Sequence, residues 1–232
     1  MREIVLDTET TGFDPSSGDR IVEIGCVELE NHLPTENNFH VYLNPERDMP
    51  AEAFKVHGLS SEFLADKPLF ANICDDFLKY IGDAPLIIHN ASFDMKFLNA
   101  ELTRLGREAL PFSRAIDSIE IAKRKLPGAR YSLDELCKRF SIDLSRRSKH
   151  GALLDAELTA LVYFELIGGR QQNLALAPGA IAAQTFVEPE VIMHERPRTL
   201  SPRLTDAELQ AHKAFIAKEL GKEPVWAKYT GE

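Results

Sequence analysis

The sequence predicts an α/β fold, with a mixed five-stranded sheet, helices on both sides, and then a flexible linker and a short helical tail. Three observations predict it. Three strand-like segments open the chain before any helical periodicity appears. Short apolar runs then alternate with helix-like stretches as far as Ile167, a pattern that packs helices against a sheet. At Arg170 the composition changes: Pro178, Pro189, Pro197 and Pro202 are spread among alanines with no sustained period, as in a tether.

Ile4-Val5-Leu6 is a continuous apolar run, as in a central strand buried on both faces. Ile21 to Leu29 is rich in Ile and Val and reads as a second strand, and Asn38 to Leu43 as a third. With the turn-rich Gly12–Asp19 between the first two, these three form an antiparallel meander. After Pro50 the pattern is helical, and Phe70, Ile73, Phe77, Leu78 and Ile81 are spaced along one helix face. Leu86-Ile87-Ile88 is a short buried strand, and Ser92 is placed to cap a helix carrying Phe93, Phe97, Leu98 and Leu102. Ala115-Ile116-Asp117 is a further short strand. Ser132 with Glu135 has the form of a capping box, and Gly151 to Ile167 is a helix with Leu154, Leu158, Leu161 and Val162 as its stripe, stopped by Gly168-Gly169. Thr205 with Glu208 starts the tail helix, whose apolar side holds Leu209, Phe215, Ile216 and Leu220. Trp226 lies just beyond it with Val225 and Tyr229. A short helix on a tether cannot bury that surface alone, so docking on a partner is expected, the alternative being that it folds back onto the first domain.

The bulk properties exclude several classes. No apolar run is long enough to span a bilayer, and the first residues enter a strand rather than a signal-peptide h-region, so a cytoplasmic protein is expected. Cys26, Cys74 and Cys137 are far apart and odd in number, which argues for buried free thiols rather than disulfides or zinc. A net charge of −9 argues against nucleic-acid binding by bulk attraction. Residues 104–150 nevertheless carry 12 Lys/Arg against 6 Asp/Glu and lead into His150, which suggests a phosphate-facing surface.

Three motifs carry chemistry. In Asp7-Thr8-Glu9-Thr10-Thr11-Gly12, the two acids are two apart and point to one face of the strand end. Adjacent anions repel unless neutralised, and Mg²⁺ or Mn²⁺ prefers such oxygen ligands. In His89-Asn90-Ala91-Ser92-Phe93-Asp94, the acid falls in the first turn of a helix that leaves a buried strand, where the helix dipole favours it and ligand contacts cluster. In His150-Gly151-Ala152-Leu153-Leu154-Asp155, residues five apart diverge by about 140° on a helix. The two therefore share a site only if His150 precedes the helix, where the dipole helps keep it neutral.

These motifs, D-x-E-T-T-G, H-N-x-x-F-D and H-x-x-x-x-D, resemble the three motifs of DEDDh-family 3′→5′ exonucleases over roughly residues 1–169. The resemblance implies an RNase H-like fold that hydrolyses DNA from a single-stranded or frayed 3′ end, releasing nucleoside 5′-monophosphates. It implies two divalent cations, Mg²⁺ or Mn²⁺, held by Asp7, Glu9, Asp94 and Asp155, with Asp7 bridging and His150 as general base. Substrate contacts are implied at Asp7, Glu9, Thr10, Gly12, Glu52, His57, Asn90, Phe93 and Asp155, with Gly12 permitting close approach to the 3′ end. The layout is similar to the proofreading branch of the family: a nuclease domain at 1–169, a linker at 170–203 and a tail at 204–232. That branch implies a sliding-clamp motif at 171–176, read on Gln171, Leu174 and Leu176, and a tail that binds the polymerase catalytic alpha subunit. It also leaves room for a small theta-like subunit. The catalytic motifs alone leave open an RNA-trimming member of the family; a non-catalytic adaptor is the reading from another class.

Overall fold

Alternation along the first strand decides the architecture. The computed structural model describes residues 1–145, 147, 149–169 and 205–219. Strand β1, Arg2–Thr10, is central. Its Ile4 and Leu6 enter one core, where α3 (Phe70–Ile81) and α4 (Ala91–Arg104) supply Phe77, Ile81, Met95 and Leu98. Val5 enters the opposite core with Ala156, Ala160 and Tyr163 of α7 (Ala152–Ile167). Helices therefore cover both faces, and the period-2 alternation sends Asp7 and Glu9 to the α7 side.

The sheet order is β3-β2-β1-β4-β5. β2 (Ile21–Glu30) and β3 (Leu33–Tyr42) run antiparallel to form the meander; β4 (Leu86–Ile88) and β5 (Ala115–Asp117) add on parallel. Between them lie α1 (Ala51–His57), α2 (Ser61–Leu64) and, after β5, α5 (Ser118–Lys125) and α6 (Leu133–Arg139). α5, α6 and the outer side of α7 share a third cluster around Leu136 and Val162.

Several boundaries differ from the sequence expectation. β3 begins at Leu33 rather than Asn38, because Asn31 and His32 both take positive φ (52° and 68°) and close a tight hairpin. Pro34 is tolerated there because β3 is an edge strand. α4 begins at Ala91, one residue before Ser92; its N-cap is Asn90 at φ 70°, and the amides of Asn90 and Ala91 donate instead to the Asp117 carboxylate (3.2 and 3.1 Å). Ser132 does sit at the start of α6, but makes no capping bond, and Glu135 pairs with Lys138 (3.0 Å). On α7, Leu161 is exposed, and the buried stripe runs through Ala156, Leu158, Thr159, Ala160, Val162 and Tyr163. The left-handed Gly168 stops α7 as expected.

The three cysteines are free and buried. The helix α8, Asp206–Glu219, forms a separate unit whose capping box is present: Glu208 accepts from the amide and hydroxyl of Thr205, and its own amide donates to Thr205 Oγ1. Leu209 and Phe215 on it are exposed. The clamp motif Gln171, Leu174 and Leu176, the linker prolines, and Leu220, Val225, Trp226 and Tyr229 lie outside the described residues. Among the described residues no helix is long and apolar enough to cross a membrane.

Candidate active site

The carboxyl end of β1 brings the three motifs together. Glu9 continues the strand past the last β4 pairing at Leu6, so its carboxylate stands at the edge of the sheet. The first turn of α7 lies over this end because β2 has glycine at position 25, directly opposite Asp7. A Cβ there would sit 2.2 Å from the Leu153 amide nitrogen and 2.3 Å from the Ala152 carbonyl carbon. Absence of that one atom lets α7 approach and delivers Asp155 to the β1 carboxylates. His150 lies in the loop before α7, as its spacing requires, and its amide donates to the Val56 carbonyl (3.3 Å), tying that loop to α1. One ligand atom each from Glu9, His150 and Asp155 fall within 4.8 Å of one another.

Asp94 arrives from the other face of the sheet. Its Oδ1 accepts from the amide (2.9 Å) and hydroxyl (2.8 Å) of Thr8, which fixes α4 against β1 and leaves the second oxygen for other work. Asp7 lies among these acids, and burial together with the charges of Asp94, Glu9, Asp155 and Glu23 holds its carboxyl well above the ordinary range. Glu9 is pushed to about 8, first by burial and then by Asp155, Glu23 and Asp94. Asp94 is pushed to about 7 by burial, against the opposing hydrogen bonds from Thr8. The protein on its own thus lacks the positive charge to ionise all its acids near neutrality.

Asp155 is the exception. Burial would raise it, but contacts with His150 and Arg147, and the charge of the guanidinium, hold it below the ordinary carboxylate value. Arg147 grips it with both arms, Nε to Oδ1 and Nη2 to Oδ2, each at 2.7 Å. Its Nη1 donates to Asp134, and Nη2 is also 2.8 Å from His150 Nδ1. A guanidinium only donates, so Nδ1 accepts from Nη2 when it lacks a proton and donates to Asp155 Oδ2 (3.1 Å) when it carries one.

A cleft of ≈ 770 Å³ adjoins the acids, lined among others by Glu9, Thr10, Gly12, Phe13, Glu52, His57 and Phe93. It meets the carboxylates at Glu9, while His150 and Asp155 lie beyond its wall. His57 is buried, accepts from the Leu59 amide at Nδ1 (3.0 Å), and has no partner for Nε2. Burial holds it below the ordinary histidine value, so it is a neutral side chain lining the cleft. Glu52 lines the cleft but is largely exposed and pairs with Lys55 (2.8 Å). Asn90 lies outside the cleft lining, at the exposed start of α4. At Gly12, which lines the cleft, the space of the missing Cβ holds the Asp19 carboxylate, 2.2 Å away, which accepts from the Thr11 hydroxyl (3.1 Å).

The sequence reading missed Arg147, Asp117, Glu23 and Gly25. Glu23 pairs across the sheet with Glu9 and is held by His40 Nε2 (2.7 Å); its signal was a charge inside the buried run Ile21–Val27. Arg147 was submerged in the basic stretch, much of which serves structure. Arg114 binds the carbonyls of Ile81, Gly82 and Ala84, and Arg107 binds Asp75.

A mixed sheet flanked by helices brings acids from β1, α4 and α7 and a loop histidine to one strand end, the layout of a nuclease whose oxygen donors suit a hard cation. Residues 4–163 match the family model described as Exonuclease, of the RNase T type, and the chain belongs to that family. It is similar to the DNA polymerase III subunit epsilon of Rickettsia felis, with 51% identity over 95% of this chain and 97% of the relative. The same-named subunit of Escherichia coli K12 is 45% identical, over 93% and 92%. Among solved structures, the nuclease domain of 3′hExo, a DEDDh family member bound to rAMP, superposes with TM-score 0.62 at 21% identity over 74% of this chain and 94% of that one. Exonuclease X in complex with 5′ overhanging duplex DNA gives 0.55 at 25%, over 71% and 90%. The fold is the RNase H-like exonuclease fold.

Proposed function

We propose that this chain removes nucleotides from the 3′ end of DNA and is the proofreading subunit of a replicative polymerase. The observation that carries the reading is the convergence of Glu9, His150 and Asp155 within 4.8 Å, beside Asp7 and Asp94, from three distant segments. Buried, mutually repelling oxygen donors fit hard divalent cations such as Mg²⁺ or Mn²⁺. Asp7, Glu9 and Asp155 would hold one ion, and Asp7 with Asp94 a second. Bound there, such a pair supplies Lewis-acid stabilisation of the attacking and leaving oxygens.

The chain's own groups do the rest. His150, about half exposed at the site mouth, takes the proton of the attacking water. Thr10, Gly12, Glu52, His57, Asn90 and Phe93, with Asp7, Glu9 and Asp155, receive the terminal nucleotide, and the Nε2 proton of His57 meets an oxygen of it. The terminal base must leave its partner first, which costs less for a mismatch, so selectivity arises from fraying. The relatives' shared name supports a role within a polymerase III assembly, and with it a cytoplasmic location. The tail 204–232 binds the polymerase alpha subunit, residues 171–176 bind the sliding clamp, and a small theta-like subunit is a further candidate partner.

The test is to supply matched single-stranded DNA and RNA labelled at the 5′ end. The expected result is mononucleotide release from DNA with Mg²⁺, its loss in EDTA, and its loss in Asp7→Ala. His150→Ala should slow turnover more than it weakens Mn²⁺ binding. Activity on RNA alone would make the chain an RNA-trimming enzyme, and near-normal cleavage by Asp7→Ala would remove the proposed metal site.

A further inference from the structure

One buried cation in this site has no role in the chemistry proposed above. Arg147 is only 8% exposed at its side chain, and it spends two of its donors on the two oxygens of Asp155. A third contact goes to Nδ1 of His150. Two of the three groups whose ligand atoms converge are therefore engaged by one guanidinium. The fork is a planar bidentate match to a carboxylate, the strongest form of such a pair. Its third partner, Asp134, stands in the first turn of α6, half exposed, and binds a different arm, Nη1.

We propose that Arg147 is a displaceable internal counter-ion, holding Asp155 in the metal-free protein and withdrawing onto Asp134 when a divalent cation enters. The inference rests on the metal-site reading above. Two features of the geometry lead to it. With both Asp155 oxygens on the guanidinium, one lone pair of each is taken and a metal ion ligated by the others would stand against the charge of Arg147, so the two cations compete for one carboxylate. Asp134 supplies a second anion within reach of the same side chain, so release does not leave a buried charge unpaired. Arg147 then sets the threshold concentration at which the site fills, and it suppresses repulsion among the acids while it is empty of metal.

The two acceptors make opposite predictions for the full chain. Arg147→Gln removes the competing charge and should tighten Mn²⁺ binding, read from free Mn²⁺ by electron paramagnetic resonance, by on the order of tenfold. It should also lower the melting temperature in EDTA and enlarge the rise in melting temperature that Mn²⁺ produces. Asp134→Asn removes the second anion and should weaken Mn²⁺ binding several-fold; this position is half exposed, so the fold is retained. Arg147→Lys, which keeps charge without the fork, should fall between wild type and Arg147→Gln. Unchanged or weaker Mn²⁺ binding in Arg147→Gln would overturn the counter-ion role while leaving the metal site intact. A wild-type chain that binds no Mn²⁺ would overturn both.

Discussion

At the residue scale, the site is defined by carboxylates kept from ionising. Glu9 goes from the ordinary 4.5 of an unfolded chain to about 8 in the metal-free fold. The native state therefore binds a proton more tightly than the unfolded state. Stability from this group is fully present below pH 4.5 and is lost as pH rises through 8. Asp94, pushed to about 7, acts in the same direction. Asp155, held low, is fully ionised throughout that window and adds nothing to the slope. His57 and His89, lowered by burial, act in the opposite sense below about pH 6.5. We predict that in EDTA the melting temperature falls between pH 6 and pH 8, and that Glu9→Gln shows a smaller fall. The histidines are common to both proteins and cancel in the comparison. A fall of equal size in Glu9→Gln would mean that Glu9 is not the group that titrates. The five chemical residues were legible in the sequence because each sits in a motif at a strand end or helix start. Arg147 was not, because a lysine- and arginine-rich run gives no hint of which cation turns inward.

At the element scale, the site depends on how closely α7 rests on β2. Small side chains on the buried face of α7, Ala152, Ala156 and Ala160, and the absent side chain of Gly25 allow it. Gly25→Ala forces backbone apart at the first turn of α7, and overpacking of this kind costs about 1–3 kcal/mol. Because the strain falls beside Asp155, catalytic turnover should fall by more than the loss of global stability explains, measured as kcat beside a urea titration. Turnover unchanged in a destabilised variant would show that α7 does not set the position of the acid. The meander, the short strands β4 and β5 and the helices α3, α4, α6 and α7 were readable from period and length, whereas the short α5 was not. The caps were less so. Ser92 and Ser132 look like N-caps in sequence, yet α4 borrows its cap from Asp117, 27 positions after Asn90 and brought beside it by the β4–β5 pairing. A long-range cap of this kind leaves no local pattern to read. The early start of β3 was hidden because its residues are polar on an edge strand.

At the scale of the whole molecule, the three cores among the described residues of the nuclease unit draw their buried side chains from between Ile4 and Leu166. α8 carries its capping box and leaves Leu209 and Phe215 exposed, whereas the clamp motif rests on its sequence alone. The central claim is that β1, α4 and α7 build one pocket that seats a pair of cations. It is tested most directly by anomalous scattering from crystals of the protein grown with Mn²⁺. Two peaks are predicted, both within ligand distance of Asp7, one shared with Glu9 and Asp155 and the other beside Asp94. A map with no peak at Asp7, or with Mn²⁺ only at other acids of the surface, would contradict the account.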